Sequence, residues 1–143
     1  MTCIVYRDGV LAADTLVVDE TSAIYHAPKI YRLDDGSLIG AAGNGREILT
    51  FLNCYLQNIE PPKDYEYTTF AGILVKPSGD VYYCETHDLI DQVMDEYLAI
   101  GSGRNIAYGA LEMGASAEEA VRMACKYSIY CGLPITTLRL RDA

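Results

Sequence analysis

The chain lacks any stretch approaching the roughly 20 consecutive apolar residues of a membrane span, and its N-terminus has no basic region followed by an apolar core. These absences predict a soluble, cytoplasmic protein without a membrane partner. Histidine occurs twice, and the five cysteines (Cys3, Cys54, Cys84, Cys125 and Cys131) include no C-x-x-C pair. No zinc-ligand spacing results, so no metal or other cofactor is expected, and an odd count with such spacing predicts free, mostly buried thiols. Positive charge is scarce as well, since 11 Lys and Arg against 20 Asp and Glu give a formal net charge of −9. With no Lys/Arg cluster to displace counterions, a nucleic-acid partner is not expected. Repeats, low-complexity tracts and linkers are also missing. A length of 143 residues, half of them hydrophobic, suffices for one core but not for two ordinary domains, so one domain over residues 1–143 is expected.

What is present begins at the second residue. Thr2 follows Met1 and opens a strand-like run, Thr2-Cys3-Ile4-Val5-Tyr6, which turns at Arg7-Asp8-Gly9 into a second run ending Ala12-Ala13-Asp14-Thr15. A small residue at this position permits removal of Met1 by methionine aminopeptidase. That removal would leave one threonine carrying both a hydroxyl and a free amine, a nucleophile and its base in one residue.

Asp8-Gly9, Asp35-Gly36 and Ser78-Gly79 each lie between runs rich in Val, Ile, Leu and Tyr, which predicts three hairpins. Gly43-Asn44-Gly45 leads into a segment from Arg46 to Asn58, where Ile48, Leu52, Tyr55 and Leu56 recur at helical spacing. Ala107, Ala110 and Leu111 predict a second helix. Ser116-Ala117-Glu118-Glu119 is a capping-box sequence for a third, whose inner stripe is read as Val121, Ala124, Cys125, Ser128 and Ile129. Ile135 to Leu140 reads as a closing strand. The expected order is four strands, a helix, three or four strands, two helices and a strand. Sequential hairpins with helices in separate blocks predict an α+β architecture of antiparallel sheets between helical layers.

Four segments carry a resemblance: Thr2-x-Ile4-Val5; Ala12-Ala13-Asp14; Lys29-Ile30-Tyr31-Arg32-Leu33 followed by Gly40-Ala41-Ala42-Gly43; and Ala99-Ile100-Gly101-Ser102-Gly103 ahead of a helix. In this order and spacing the chain resembles the proteasome β-type subunits of the N-terminal nucleophile hydrolases, the bacterial HslV peptidase among them. Each motif alone is weak and the joint match, which covers nearly the whole chain, is specific. The resemblance implies a four-layer αββα sandwich and a threonine peptidase. Its partners would be peptides or unfolded chains, a homo-oligomeric ring such as stacked hexamers, and an ATP-driven unfoldase.

The resemblance also assigns roles. Thr2 would be the nucleophile, activated by its own α-amine. Lys29 would supply a fixed positive charge that lowers the amine's pKa and favours the alkoxide, with Asp14 holding Lys29 in place. Gly43, at a strand-to-helix junction, would offer a backbone N–H to the oxyanion, and Ser102 would bond near the threonine amine. Each has a plainer rival: Asp14 as a turn cap, Lys29 as a solvated strand residue, Gly43 as a tight-turn glycine, Ser102 as a helix N-cap. Cys3, a second possible nucleophile, should point away from Thr2 into the core because side chains alternate along a strand. The family pattern places an Asp and a Ser in the last helix, where this chain has Lys126, Tyr127 and Ser128, so Lys126 has to point outward. A non-catalytic scaffold subunit and a small-molecule amidase are the competing functions on the same fold.

Overall fold

The computed structural model describes residues 1–140. The first hairpin joins β1 (Ile4–Arg7) to β2 (Val10–Ala13) through Asp8 and Gly9, both at positive φ as a two-residue hairpin turn requires. The other two expected hairpins form as well. One joins β5 (Ile30–Arg32) to β6 (Leu38–Gly43), and the other joins β7 (Phe70–Val75) to β8 (Val81–Cys84).

One hairpin departs from the sequence reading. β3 (Leu16–Val18) pairs with β4 (Ile24–His26), so six strands precede the first helix instead of four. Its turn is organised by the Asp19 carboxylate, whose Oδ1 accepts from Thr21 N at 2.8 Å and Ala23 N at 2.9 Å. Val18, Ile24 and Tyr25 are exposed, so no alternation of buried and exposed residues marked these strands. β9 (Ile90–Val93) pairs with β8, and β10 (Tyr97–Ile100) with β1.

The helices fall where periodicity places them. α1 (Gly45–Leu56) is capped by Asn44, whose side chain accepts from Arg46 N, and α3 (Ala117–Tyr127) opens with the full Ser116/Glu119 capping box. Between them α2 (Arg104–Glu112) buries Ala107 and Leu111. β11 (Thr136–Arg139) closes the chain against β2. Two stripes are shorter than expected: α3 ends before Ser128, leaving Ile129 84% exposed, and Leu56 at the last turn of α1 is also exposed.

Among the described residues the strands form a sheet in the order β10-β1-β2-β11, a sheet in the order β5-β6-β7-β8-β9, and the separate β3-β4 pair. Alternation sends the two faces of β1 and β2 into different cores. Cys3, Val5 and Ala12 pack with Ala107, Leu111, Ala120, Val121 and Ala124 of α2 and α3. Ile4, Tyr6, Leu11 and Ala13 pack instead with Ile30, Leu38, Ile73 and Val75 of the second sheet. The far face of that sheet, through Ile39, Ala41, Leu74 and Cys84, covers Phe51 and Leu52 of α1. The layers therefore run helices, sheet, sheet, helix, an αββα sandwich in which the N-terminus leads directly into β1, a central strand of the first sheet.

Candidate active site

Thr2 is 4% exposed, and its position follows from the strands around it. Its N–H donates to Ser102 Oγ at 3.1 Å, and its carbonyl accepts from Gly103 N at 3.1 Å and from Ser102 Oγ at 3.4 Å. Ser102 sits in the short link between β10 and α2. It does not cap α2: the N-cap is Gly103, without a side-chain bond, and the Ser102 hydroxyl is engaged with Thr2 instead. Gly101 precedes it at φ +98°, and a Cβ there would lie 2.2 Å from the Thr2 carbonyl oxygen. Only glycine permits this approach of backbone to backbone.

Asp14, just beyond β2, is fully buried. A buried carboxylate is costly unless its lone pairs are met, and here three donors meet them. Lys29 Nζ and Cys3 N reach Oδ1 at 2.9 and 3.0 Å, and Gly132 N reaches Oδ2 at 3.1 Å. Asp14 thus ties together β1, the segment before β5 and the loop after α3. Lys29, whose side chain is only 9% exposed, also donates to the Met1 carbonyl oxygen at 3.0 Å. That carbonyl belongs to the peptide bond whose cleavage frees the Thr2 amine. Lys29 is therefore no solvated strand residue and Asp14 no turn cap.

Gly43 ends β6, immediately before the Asn44 cap of α1, at φ +122°. A Cβ there would lie 1.8 Å from the Thr69 carbonyl oxygen. Met1, Thr2, Gly43, Gly101 and Ser102 all line one open cleft of about 360 Å³, together with Ala42, Thr68, Thr69, Phe70, Ala71 and Arg104. Thr2, Gly43 and Ser102 thus meet at the cleft, and Asp14 and Lys29 lie behind Thr2. The Arg104 guanidinium donates to the Gly101 carbonyl at 3.1 Å. Lys126 is exposed and lies over the Tyr127 ring, 5.4 Å from its centroid, away from the cleft lining.

Burial acts on the two titratable groups that flank Thr2. Burial, followed by the Lys29 charge, lowers the Met1 α-amine below its ordinary 8.0. Burial pushes the Cys3 thiol far up, so it stays protonated at neutral pH, and its side chain is in the helix-side core as alternation predicts. All five cysteines are free. Sequence reading missed the close approach at Gly101, the Gly132 contact, Arg104, and the Thr68 to Phe70 wall. Gly101 had a signal in its G-S-G setting; Gly132 and Thr68 had none, because long-range pairing alone brings them here.

Two sheets face to face with helices outside both, and the N-terminal strand opening beside the cleft, give this chain the αββα fold of the HslV-type structures. The particular structures sharing this fold include BPH of Thiobacillus denitrificans, solved alone and in complex with epoxomicin. Each of those two structures is 20% identical, with a TM-score of 0.69 over 99% of both chains. Eukaryotic HslV from Trypanosoma brucei is 16% identical, with a TM-score of 0.63 over 96% of this chain and 98% of that one. No protein-family model and no curated protein sequence matches this chain.

Proposed function

We propose that this protein is a threonine endopeptidase acting through Thr2 once Met1 is removed. The observation that carries the reading is the Lys29 ammonium, held by buried Asp14 at 2.9 Å while it touches the Met1 carbonyl at 3.0 Å. The tie that Asp14 makes would serve a scaffold equally; the reach of Lys29 to the N-terminal peptide bond is what favours the peptidase.

In the proposed reaction the Thr2 hydroxyl gives its proton to the free α-amine, directly or through a water, as Oγ1 attacks a peptide carbonyl. The oxyanion that forms takes the Gly43 N–H at the strand-to-helix junction. Collapse breaks the C–N bond, and the amine's acquired proton leaves with the departing amine. The remaining ester on Thr2 is hydrolysed by water with the same amine as base. Lys29 keeps that amine unprotonated near neutral pH and favours the alkoxide; Asp14 fixes Lys29; Ser102, now on the Thr2 nitrogen, orients the amine. No metal or organic cofactor has a step in this scheme.

The substrates would be peptides or unfolded chains. A homo-oligomeric ring of stacked hexamers, served by an ATP-dependent unfoldase, would keep the cleft from folded cytoplasmic proteins. BPH was solved with epoxomicin bound, which supplies the probe. Intact mass of untagged protein should show loss of one methionine and then one stoichiometric epoxomicin adduct mapping to Thr2. Retention of Met1 together with absence of an adduct would turn the reading toward a non-catalytic subunit.

A further inference from the structure

Among the described residues the proposed chemistry leaves one buried charge unused. Glu47 lies in the first turn of α1, four residues beyond Gly43, and is only 5% exposed. Its carboxylate reaches across to the residues that enter β7. Oε2 accepts from the N–H and the hydroxyl of Thr68, the latter at 3.1 Å. Oε1 accepts from the N–H and the hydroxyl of Thr69 at 3.0 and 3.3 Å. Each oxygen therefore takes one backbone N–H and one hydroxyl. Thr68, Thr69 and Phe70 line the same cleft as Thr2, and the Thr69 carbonyl presses on Gly43.

We infer that Glu47 is a positioning residue, which clasps the Thr68 to Phe70 wall to the Gly43 turn and thereby sets the cleft's fit to an extended peptide. This rests on the reading that the cleft takes peptides. The chemistry of the clasp requires a carboxylate. Two N–H groups fall on two different oxygens, whereas an amide side chain offers one acceptor and turns an NH₂ toward the second N–H. Charged acceptors also hold N–H groups about twice as strongly as neutral ones. Burial alone would raise the Glu47 carboxyl, but the Thr68 and Thr69 N–H groups, helped by the hydroxyls, hold it below the ordinary carboxylate range. The clasp is therefore charged and closed at neutral pH.

The test compares Met1-free wild type, Glu47→Gln and Glu47→Asp by hydrolysis of an unstructured fluorogenic peptide and by amide hydrogen exchange at Thr68 and Thr69. The affinity of the same peptide is also measured in a Thr2→Ala background, with and without Glu47→Gln. Loss of a charged hydrogen-bond acceptor should raise KM about tenfold in Glu47→Gln while kcat stays within about twofold, and should speed exchange at both amides. Glu47→Asp, which keeps both acceptors on a shorter arm, should fall between and carries the comparison if Glu47→Gln does not fold. Peptide affinity in the Thr2→Ala background should weaken by a factor similar to the rise in KM. Faster exchange with KM and affinity unchanged would reduce Glu47 to a structural tie, and a fall in kcat alone would place it in the chemistry; either overturns the inference. If wild type hydrolyses no peptide, weakened affinity in the Glu47→Gln background keeps the clasp while removing the peptidase reading. Absent or unchanged affinity removes the clasp.

Discussion

Thr2, Lys29 and Gly101 act at the scale of single atoms, and each makes a separable prediction. With Lys29 beside the N-terminus, the catalytic amine should titrate below its usual 7.7 to 8.0. The rate depends on the unprotonated form, so it should rise with pH through that lowered value and level off above it. Lys29→Met removes the nearby positive charge and should move the inflection of kcat/KM upward by about one pH unit. An unchanged profile would remove its electrostatic role. The same substitution strands a fully buried Asp14 carboxylate, so a stability loss of about 3 kcal/mol should accompany it in denaturant unfolding. Gly101→Ala would drive a Cβ into the Thr2 carbonyl, and activity should fall at least about a hundredfold because the nucleophile is displaced by something near 1 Å. At this scale the sequence was informative where a motif has local meaning. Thr2, Asp14, Lys29, Gly43 and Ser102 were singled out through their motifs and the family resemblance those motifs carry. The fold brings Thr2, Gly43 and Ser102 to one cleft with Asp14 and Lys29 behind Thr2; their catalytic roles are the proposal made above. Glu47 was not, since its partners lie 21 and 22 positions away and nothing local marks a carboxylate that bonds so far along the chain.

Elements were legible in proportion to how one-sided their burial is. The capping box of α3 was readable from four residues, and both reciprocal bonds form, at 3.1 and 2.8 Å. Ser116→Ala should cost about 1 kcal/mol and lower the melting temperature by a few degrees; no change would mean that packing of Ala117, Ala120, Val121 and Ala124 alone fixes the helix start. The β3-β4 hairpin escaped because its strands are short, largely exposed and turned by Asp19 rather than by an Asn-Gly or Asp-Gly pair. The extent of α1 and α3 was overestimated because apolar residues continue past the last helical turn, as Ile129 does. The start of α1 also carries the Glu47 clasp, and pH should open it. The folded-state value is depressed, so the clasp's stabilisation is complete above the ordinary carboxyl value of about 4.3 and disappears as pH falls through the lower folded value. Exchange at the Thr68 and Thr69 amides should therefore rise only in that acid window, while the β1-β2 amides stay protected.

Apart from the β3-β4 pair, the strands of the described residues form two sheets whose facing sides share one core and whose outer sides are covered by helices, and the N-terminus enters through β1 of the first sheet. The layered class was readable from hairpin signals and helix blocks. Which sheet each strand joins was not, because β1 pairs with β10 some ninety residues onward and only the fold brings Gly101 and Ser102 to Thr2. Large apolar side chains remain exposed on this surface, including Ile24, Ile129, Leu133 and Met94. At micromolar concentration, sedimentation should show a species several times the 15.7 kDa chain, and a monomer would remove the enclosed chamber from the proposal. The central claim is that Thr2 itself performs the chemistry. The most direct measurement is hydrolysis of an unstructured peptide by wild type and Thr2→Ala, both confirmed by intact mass to have lost Met1. The account predicts that the alanine variant loses at least about a thousandfold in kcat, as removal of a nucleophile does; equal rates in the two proteins would contradict it.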